Sequence, residues 1–471
     1  MIENNKNEET IELIIPIKKD NKVNNIDTAT NKVIVKKRKL KKYVLQNIFI
    51  FLSILMILTC FIYYGRRLIK YYKIYNPTTE SGEKVNLLST AIFQKSQIVT
   101  EGDGLYNISG RSTYKGENVN NYIKFSNLTW RIVHTNSNGS VDIILDDYIN
   151  ILALDKENKP FIESDVNKYL NDEFLSILNK EYLEKTTICK DIMENISTFT
   201  CNEISNEYYV KLLGANDFLN SQENNKTYIL KDKEVMWLGT SNKDDISWLA
   251  NYTNLSSVKK DSTYPIKPVI TIKSTTPLIS GTGTKEDPFI IEKENNKLSP
   301  GEYIKLNNDL WIIYENKNDT LKLVSDILIG NGSKTYRYDL SKNEFDINSK
   351  DSLAEYLNTK LYNSLSYKDL LIDFDIYTGE YNKSYKDIYE KKTTAKVGIQ
   401  NITDFKFNNE LNGYFLSTPS VDKTIYYFNN NDIVESKVGI SRTIRPTIAI
   451  KKTNIKSGKG TKHDPYVLEV K

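Results

Sequence analysis

Histidine, cysteine and tryptophan are scarce in this chain of 471 residues, which holds two histidines, three cysteines and four tryptophans. The two histidines, His134 and His463, argue against a histidine metal site and against catalysis that relies on histidine. Net charge is also small, because 64 lysines and arginines against 60 aspartates and glutamates leave +4. This balance gives no reason to expect a nucleic-acid partner.

The motifs of the common enzyme classes are missing as well. The chain has no glycine-rich phosphate loop, no kinase or zinc-protease signature and no nucleophile elbow. Acidic pairs such as Asp146-Asp147 and Asp373/Asp375 occur, but their spacing does not separate a catalytic pair from turn residues. We therefore expect a protein that is not an enzyme, with no cofactor and no metal, and keep an extracellular hydrolase as the alternative.

One long apolar run is present, "VLQNIFIFLSILMILTCFIYY" from Val44 to Tyr64. About 20 apolar residues are needed to cross the hydrocarbon of a bilayer as a helix, so we predict a single transmembrane helix over residues 44–64. A cleaved signal peptide has a shorter apolar stretch close to the N-terminus, whereas 43 residues precede this one. The helix is therefore expected to remain as a signal-anchor.

The charges beside this run predict its orientation. The segment "KKRKLKK", residues 36–42, places six cations before the helix, against Arg66, Arg67, Lys70 and Lys73 after it. Because cations favour the cytoplasmic side, residues 1–43 should form a cytoplasmic tail, which its polar composition predicts to be disordered. Residues 65–100 are expected to be a juxtamembrane stalk, and all residues after about 65 should be extracellular.

The cysteines fit an extracellular location. Cys60 lies within the predicted span, which leaves Cys189 and Cys201 as the two cysteines beyond it. An even pair in an oxidising compartment predicts one disulfide, worth about 2–3 kcal/mol in the chain-entropy description of loop closure. Two unpaired thiols are the alternative.

Nine residues near the C-terminus, "GKGTKHDPY", nearly repeat an earlier segment, "GTGTKEDPF". Other segments recur in the same order at offsets of about 177–187 residues: "YIKFSNLTWRIV" with "YIKLNNDLWIIY", "VKLLGANDF" with "VGIQNITDF", and "YPIKPVITIK" with "RTIRPTIAIK". We interpret residues 101–293 and residues 294–471 as two copies of one module.

The pattern within one copy predicts the fold class. A hairpin with a tryptophan on its second strand precedes an amphipathic helix, and several short strands follow. Since strands and helices do not alternate as in a parallel sheet, we expect an α+β fold with mainly antiparallel sheets. Trp130 and Trp311 occupy the same position in the two hairpins, which favours a place in the core.

An ordered set of motifs resembles a known family: "GDGLY", "YKGENVNNYIKFSNLTWRIV", "VKLLGANDF", "IKPVITI" and "GTGTKEDPF". They are similar to bacterial surface modules of unknown function in Firmicutes and mollicute-type bacteria, related to the C-type-lectin-like fold of the formylglycine-generating enzyme. The resemblance covers residues 101–293 well and 294–471 more loosely. It implies two tandem lectin-like modules. The copper-binding thiols of that enzyme would have no counterpart if Cys189 and Cys201 are bridged.

The stretch "WLGTSNKDDISWL" carries the candidate ligand-binding residues, which are Trp237, Asn242, Asp244, Asp245 and Trp248. Indole rings beside polar groups suit a sugar or peptide surface. The alternative interpretation assigns Trp237 to the core and the aspartates to a solvated turn.

The function that we predict is a membrane-anchored extracellular binding or adhesion protein for a glycan, a wall polymer or a protein. The alternatives are the hydrolase and a structural or signalling subunit of a cell-envelope assembly.

Overall fold

The computed structural model describes residues 42–75, 86–108, 111–194, 201–293, 298–330, 335–430 and 432–469. The chain divides into two compact units, which are Met1–Tyr72 and Lys73–Lys471. Residues 1–41 lie outside the described part, so the predicted disordered tail stays a prediction.

The long apolar run is helical. Helix α1, Lys42–Tyr75, contains the predicted helix over residues 44–64 and continues past it. Its segment Asn47–Arg66 is long and apolar enough to cross a membrane, and its most apolar stretch is not buried. The prediction that this run is helical is confirmed, and among the described residues it is the one helix long and apolar enough to cross a membrane.

Residues 86–100 belong to the folded unit rather than to a stalk. Helix α2, Leu88–Lys95, buries Leu88, Ala91 and Ile92 in the hydrophobic core. These positions are three and four apart and therefore form one apolar stripe. The stalk predicted over residues 65–100 was too long at its C-terminal end, because this stripe needs a core to cover it.

In the first half of the folded unit, residues 86–293, the described residues form sixteen strands. They are β1 Gly104–Ile108, β2 Arg111–Lys115, β3 Tyr122–Phe125, β4 Leu128–Thr135, β5 Val141–Leu145, β6 Asn150–Ala153, β7 Leu183–Glu184, β8 Ile188–Cys189, β9 Ile204–Ser205, β10 Val210–Leu212, β11 Val235–Ser241, β12 Ile246–Asn251, β13 Asn254–Lys259, β14 Thr263–Ile266, β15 Pro268–Ile272 and β16 Phe289–Ile290.

Most of these strands form one sheet with the order β1-β2-β4-β5-β15-β10. Strand β3 extends it by pairing with β4 and with β16, and the β16 pair is the parallel one. Strands β11, β12 and β13 form a separate antiparallel sheet. Helix α3, Asp165–Asp172, is capped by Ser164 and buries Tyr169 and Leu170, and helix α4 is Ala215–Asn220.

In the second half, residues 298–469, the part of the chain that the structure describes contributes fourteen strands. They are β17 Tyr303–Leu306, β18 Asp309–Lys317, β19 Thr320–Ser325, β20 Tyr336–Arg337, β21 Phe374–Tyr377, β22 Lys392–Ala395, β23 Val397–Ile399, β24 Tyr414–Pro419, β25 Ile425–Asn429, β26 Asp432–Ser436, β27 Ser441–Arg442, β28 Pro446–Lys451, β29 Ile455–Ser457 and β30 Val467–Leu468. Helix α5, Leu353–Tyr356, continues through a π-helical turn into α6, Tyr362–Ser364.

The main sheets of the two halves use their strands in a similar order. The first contains the path β3-β4-β5-β15-β10, and the second has the order β17-β18-β19-β28-β23. The second strand of each path is bulged, between Ile132 and His134 and between Ile313 and Glu315. Strands β24, β25 and β26 form a three-stranded sheet like that of β11 to β13. The predicted α+β class with mainly antiparallel sheets is confirmed.

One hydrophobic core cluster contains residues of both halves, and a second cluster, which includes Trp311, lies within the second half. Tyr381, Leu416 and Phe428 of the second half pack within the same buried cluster as the first-half strands. The backbone N–H of Ala153 donates to the Tyr381 hydroxyl at 2.8 Å, and the Tyr169 hydroxyl donates to a second-half carbonyl at 3.0 Å. Because apolar burial is the main stabilising contribution, we expect the halves to unfold together.

The two closing segments form tight turns that depend on glycine. Gly283 and Gly460 have positive φ values of 86° and 74°. A Cβ at these positions would lie 2.6 Å from the Phe289 ring and 2.5 Å from the Tyr466 ring. Both aromatic side chains are buried, so the glycine lets the turn fold back over its own aromatic residue.

The predicted disulfide is present between Cys189 and Cys201. It lies beside the β8–β9 pair, where the register sets Cys189 opposite Ile204. Cys60 is a free cysteine on helix α1.

Candidate functional site

The predicted aromatic site lies on one hairpin, formed by strands β11 and β12, but both tryptophans point into the core. Trp237 is fully buried, and its indole N–H donates to the Leu152 carbonyl at 3.0 Å. Trp248 is 8% exposed and donates to the Met193 carbonyl at 2.8 Å. Neither ring offers a face to a ligand, because each is covered by neighbouring strands and has its N–H satisfied.

The three polar residues form the turn of this hairpin. The Asn242 amide donates to the Ser257 hydroxyl at 3.1 Å, and its carbonyl oxygen accepts from the backbone N–H of Lys243. Asp244 has a positive φ of 43°, and Asp244 and Asp245 are exposed. The structure thus agrees with the alternative interpretation, which is a core tryptophan followed by a solvated turn.

A large groove lies between the two halves. Its volume is about 1410 Å³, which exceeds the size of a typical small-molecule pocket. The first half lines it with the β3–β4 turn and the segment after helix α3, and the second half with strand β18 and the closing segment of the chain. The described residues that line it fall in the ranges 124–127, 172–181, 290–293, 299–303, 314–317, 403–405 and 459–466, with Tyr389 and Lys452.

Aromatic residues form part of the groove surface. Tyr389 is 38% exposed, and Phe405 packs edge-on against Tyr169 and Phe174 with ring centroids 6.2 and 6.0 Å away. Burial raises the pKa of the Tyr314 hydroxyl well above its usual range, so it stays a neutral hydrogen-bonding group at physiological pH. Rings with attached hydroxyls suit contact with polyols or sugars.

The groove wall contains a buried carboxyl group, Glu302, that forms no ion pair with any of the described residues. Glu302 is 5% exposed; one carboxyl oxygen accepts from the Tyr466 hydroxyl at 2.9 Å and the other from the Ser299 N–H at 2.5 Å. Burial raises the pKa of Glu302 to about 7. At neutral pH this carboxyl is therefore divided between its charged and neutral forms.

Other carboxyl groups of the groove turn toward protein partners. Asp404 accepts from the backbone N–H of Asn401 at 2.8 Å, and burial raises its pKa. Glu315 forms an ion pair with Lys322 at 3.1 Å. Glu292 accepts from the Asn179 amide at 3.3 Å. These three carboxyl groups therefore lie in the groove wall rather than at its rim.

A smaller cleft of about 550 Å³ also lies between the halves. Its lining includes Lys267, whose ammonium donates to the carbonyls of Asp146 and Ile229 at 2.8 and 2.7 Å. Burial lowers the pKa of Lys267. Because two backbone carbonyls already hold the ammonium, we assign this lysine to joining strands rather than to binding.

A buried group of ionisable residues lies on the first-half sheet. Asp142 is 2.9 Å from the Lys211 ammonium and 3.2 Å from His134 Nε2, and it accepts from the Thr271 hydroxyl at 2.8 Å. Burial opposes ionisation, but the ammonium and the imidazole hold the pKa of Asp142 well below its usual range. All four residues are under 9% exposed, so this network is out of reach of a substrate.

Three of the four acidic residues weighed for a hydrolase, Asp146, Asp373 and Asp375, have cationic partners. Asp146 lies 3.5 Å from an Arg131 nitrogen, and Asp375 lies 2.7 Å from the Lys392 ammonium. Each pairing resembles a stabilising contact more than a catalytic dyad.

Cys189, Asp191 and Cys201 are close enough to share a metal, since their ligand atoms lie within 4.8 Å of one another. The two sulfurs are bonded to each other, however, and a disulfide supplies no thiolate ligands.

The sequence reasoning missed the groove because its residues come from segments far apart in the chain. One local signal was available, since the closing segment carries Lys459 and Lys462 around its turn. No protein-family model, no curated protein and no solved structure matches this chain.

Proposed function

We propose that this protein is a membrane-anchored binding protein whose ligand lies in the groove between the two halves. The ligand would be a glycan, a wall polymer or a protein segment. Helix α1 would anchor the chain, with the N-terminus in the cytoplasm and the folded unit outside. The cations of residues 36–42 support this orientation, because cationic flanks favour the cytoplasmic side.

We also propose that the two halves are tandem modules of the C-type-lectin-like type. The ordered sequence matches, the similar strand orders of the main sheets and the bulge in the same strand of each support this proposal. An experimental structure with different strand orders in the two halves would contradict it.

The groove itself carries the functional proposal. It combines a volume of about 1410 Å³ with exposed tyrosine, exposed lysines and half-buried carboxyls from both halves. Loops that a sheet holds in place are where binding function is usually found. A polymer could enter such an open groove, whereas the cluster around Asp142 is closed to it.

The test uses full-length protein in detergent micelles, incubated with purified cell-wall sacculi and with a glycan array. Ser176 is exposed and lines the groove, so Ser176→Trp should fill the groove without disturbing the core. Ser341 is an exposed serine that does not line the groove, and Ser341→Trp is the matched control. We expect binding to be lost in the first variant and kept in the second.

Three results would count against the proposal. Equal binding by Ser176→Trp and wild type would remove the groove as the site. Release of soluble fragments from sacculi would favour the hydrolase. Protease that reached the N-terminal tail rather than the folded unit in intact cells would reverse the orientation.

A further inference from the structure

Charge is arranged unevenly around the groove. Seven lysines line it and all are exposed, which are Lys124, Lys180, Lys293, Lys317, Lys452, Lys459 and Lys462. Seven carboxyl residues line it too, but only Asp172 and Glu181 are exposed. The rim is therefore cationic although the formal charges of the lining residues balance.

In the described part of the chain, six of these seven lysines have no carboxylate partner, and of the six the Lys124 ammonium donates to the Thr129 hydroxyl. In the described part of the chain, no carboxylate oxygen lies within 4.0 Å of the ammonium groups of Lys293, Lys317, Lys452 and Lys459. By contrast, Lys462 pairs with Asp326 at 2.9 Å. Free ammonium groups remain available to a ligand, since no internal contact competes for them.

Four of the free lysines, those other than Lys180, come from four separate segments. Lys293 belongs to the first half, and Lys317, Lys452 and Lys459 belong to the second. Their charge is distributed around the groove rather than gathered at one point. This distribution suits a chain of anionic groups better than a single anion, because each ammonium acts as an independent point charge.

Several carboxyl groups that could repel an anion have a raised pKa or are paired with a cation. Glu302 and Asp404 have raised pKa values because they are buried, and Glu315 is paired with Lys322. Burial also raises the pKa of Glu173. A negatively charged ligand at the rim therefore meets more ammonium groups than exposed carboxylates, and deeper in the groove it meets the Glu302 carboxyl, which is partly neutral near pH 7.

Taking the proposed binding function as its basis, we propose that the groove binds an anionic wall polymer, a chain with repeating phosphate or carboxylate groups. The anionic groups contact the rim lysines, and the polyol or sugar units between them contact Tyr389 and Phe405. Lysine recognises phosphate and carboxylate as a point charge, so a polyol phosphate and a polyuronate share the necessary chemistry.

The experiment measures binding of full-length protein in nonionic detergent to polyglycerol phosphate, to polygalacturonate and to neutral dextran of similar length. We expect both anionic polymers to bind and dextran not to bind. Affinity should fall steeply between about 50 and about 300 mM salt, because screening weakens contacts between exposed charges. The ratio of the two anionic affinities tells which group the groove prefers.

The variant Lys293→Ala/Lys317→Ala/Lys452→Ala/Lys459→Ala removes four of the free lysines. Its control, Lys156→Ala/Lys259→Ala/Lys350→Ala/Lys437→Ala, removes four exposed lysines that do not line the groove, so both lower the net charge equally. We expect the groove variant to bind polyanions about tenfold or more weakly and the control to change affinity by about twofold or less. All substituted lysines are exposed, so folding should be retained.

Equal losses in the two quadruple variants would overturn the proposal, because net charge alone would then explain binding. Binding only to anionic lipid vesicles would overturn it as well and would indicate a membrane-surface contact. The Ser176→Trp variant distinguishes a failure of the anionic-ligand proposal from a failure of the proposal that the groove is the binding site. If it abolishes sacculus binding while the lysine variants do not weaken it, the anionic ligand is wrong and the groove remains the site.

Discussion

The two main sheets place an acidic residue opposite a basic one at matching positions. Immediately after the bulge, His134 on β4 faces Asp142 on β5 in the first half. In the second half Glu315 on β18 faces Lys322 on β19. The acidic and the basic member have exchanged strands. In both halves this part of the sheet thus carries a complementary cross-strand pair, whichever strand holds the carboxylate.

The surroundings of the two pairs differ in burial. Asp142 is 3% exposed and is held by Lys211 from strand β10. The matching strand of the second half, β23, carries Gly398, where a Cβ would lie 2.4 Å from the Ile376 side chain. In the second half, the Ile376 side chain thus occupies the space that the Lys211 ammonium occupies in the first half. Its Glu315 side chain is 38% exposed.

The largest expected effect tests whether the two halves are one cooperative unit. Trp130→Ala should lower the free energy of unfolding by about 3–5 kcal/mol, since the ring is fully buried and packs against Phe174. Trp311→Ala should cost about as much, because Trp311 is 4% exposed. Urea denaturation of the full-length protein, followed by near-ultraviolet circular dichroism, gives both values.

Because the halves share a core, each tryptophan variant should still unfold in a single transition. Two separate transitions in the Trp311→Ala variant, with the first-half signal unchanged, would show that the halves are independent.

A second prediction compares the stability contributed by the buried pair, Asp142 and Lys211, with that of the partly exposed pair, Glu315 and Lys322. Asp142→Asn should lower the free energy of unfolding by about 3 kcal/mol, because it leaves the Lys211 ammonium buried without its counter-ion. Lys322→Gln is the matched change in the second half and should cost less than about 1 kcal/mol, since its partner Glu315 is partly exposed. Equal costs in urea denaturation would mean that burial does not distinguish the two pairs.

The pH dependence of the first pair has a definite sign. The pKa of Asp142 is lowered in the folded protein, so its stabilising contribution is present above the ordinary pKa of aspartate and is lost as pH falls toward the folded value. The Asp142→Asn variant should therefore approach wild-type stability in acid.

The substitution with the smallest expected effect gives the second half a neutral amide where the first half already has one. The hairpin position of Glu302 is occupied in the first half by Asn121, a neutral amide. The pKa of Glu302 is raised from 4.5 to about 7, so its contribution to stability is fully present below pH 4.5 and is lost as pH rises through about 7. Glu302→Gln should therefore gain stability over wild type at alkaline pH, by at most about 3 kcal/mol.

Thermal unfolding of wild type and Glu302→Gln at a series of pH values checks this expectation. The difference between them should grow from acid to alkaline pH and level off above the folded pKa. A constant difference across the series would mean that Glu302 does not titrate near neutrality.

Local sequence predicted the parts of this fold that depend on near neighbours. The apolar run became helix α1, the cysteine pair became a disulfide, and Trp130 and Trp311 are buried on their hairpins as expected. The candidate ligand-binding stretch does lie on one hairpin, but its tryptophans face the core. Their direction depends on which face of the sheet the rest of the chain covers. A sequence window contains no information about that cover.

The sequence by itself determined the apolar span, the strand and turn pattern and the antiparallel class, because periodicity and turn residues act over a few neighbouring positions. Only the tertiary structure decided the shared core, the groove and the raised pKa of Glu302. Each of these depends on burial by residues more than a hundred positions away, such as Tyr466 against Glu302. Desolvation is a property of the folded surroundings, and no local segment can fix it.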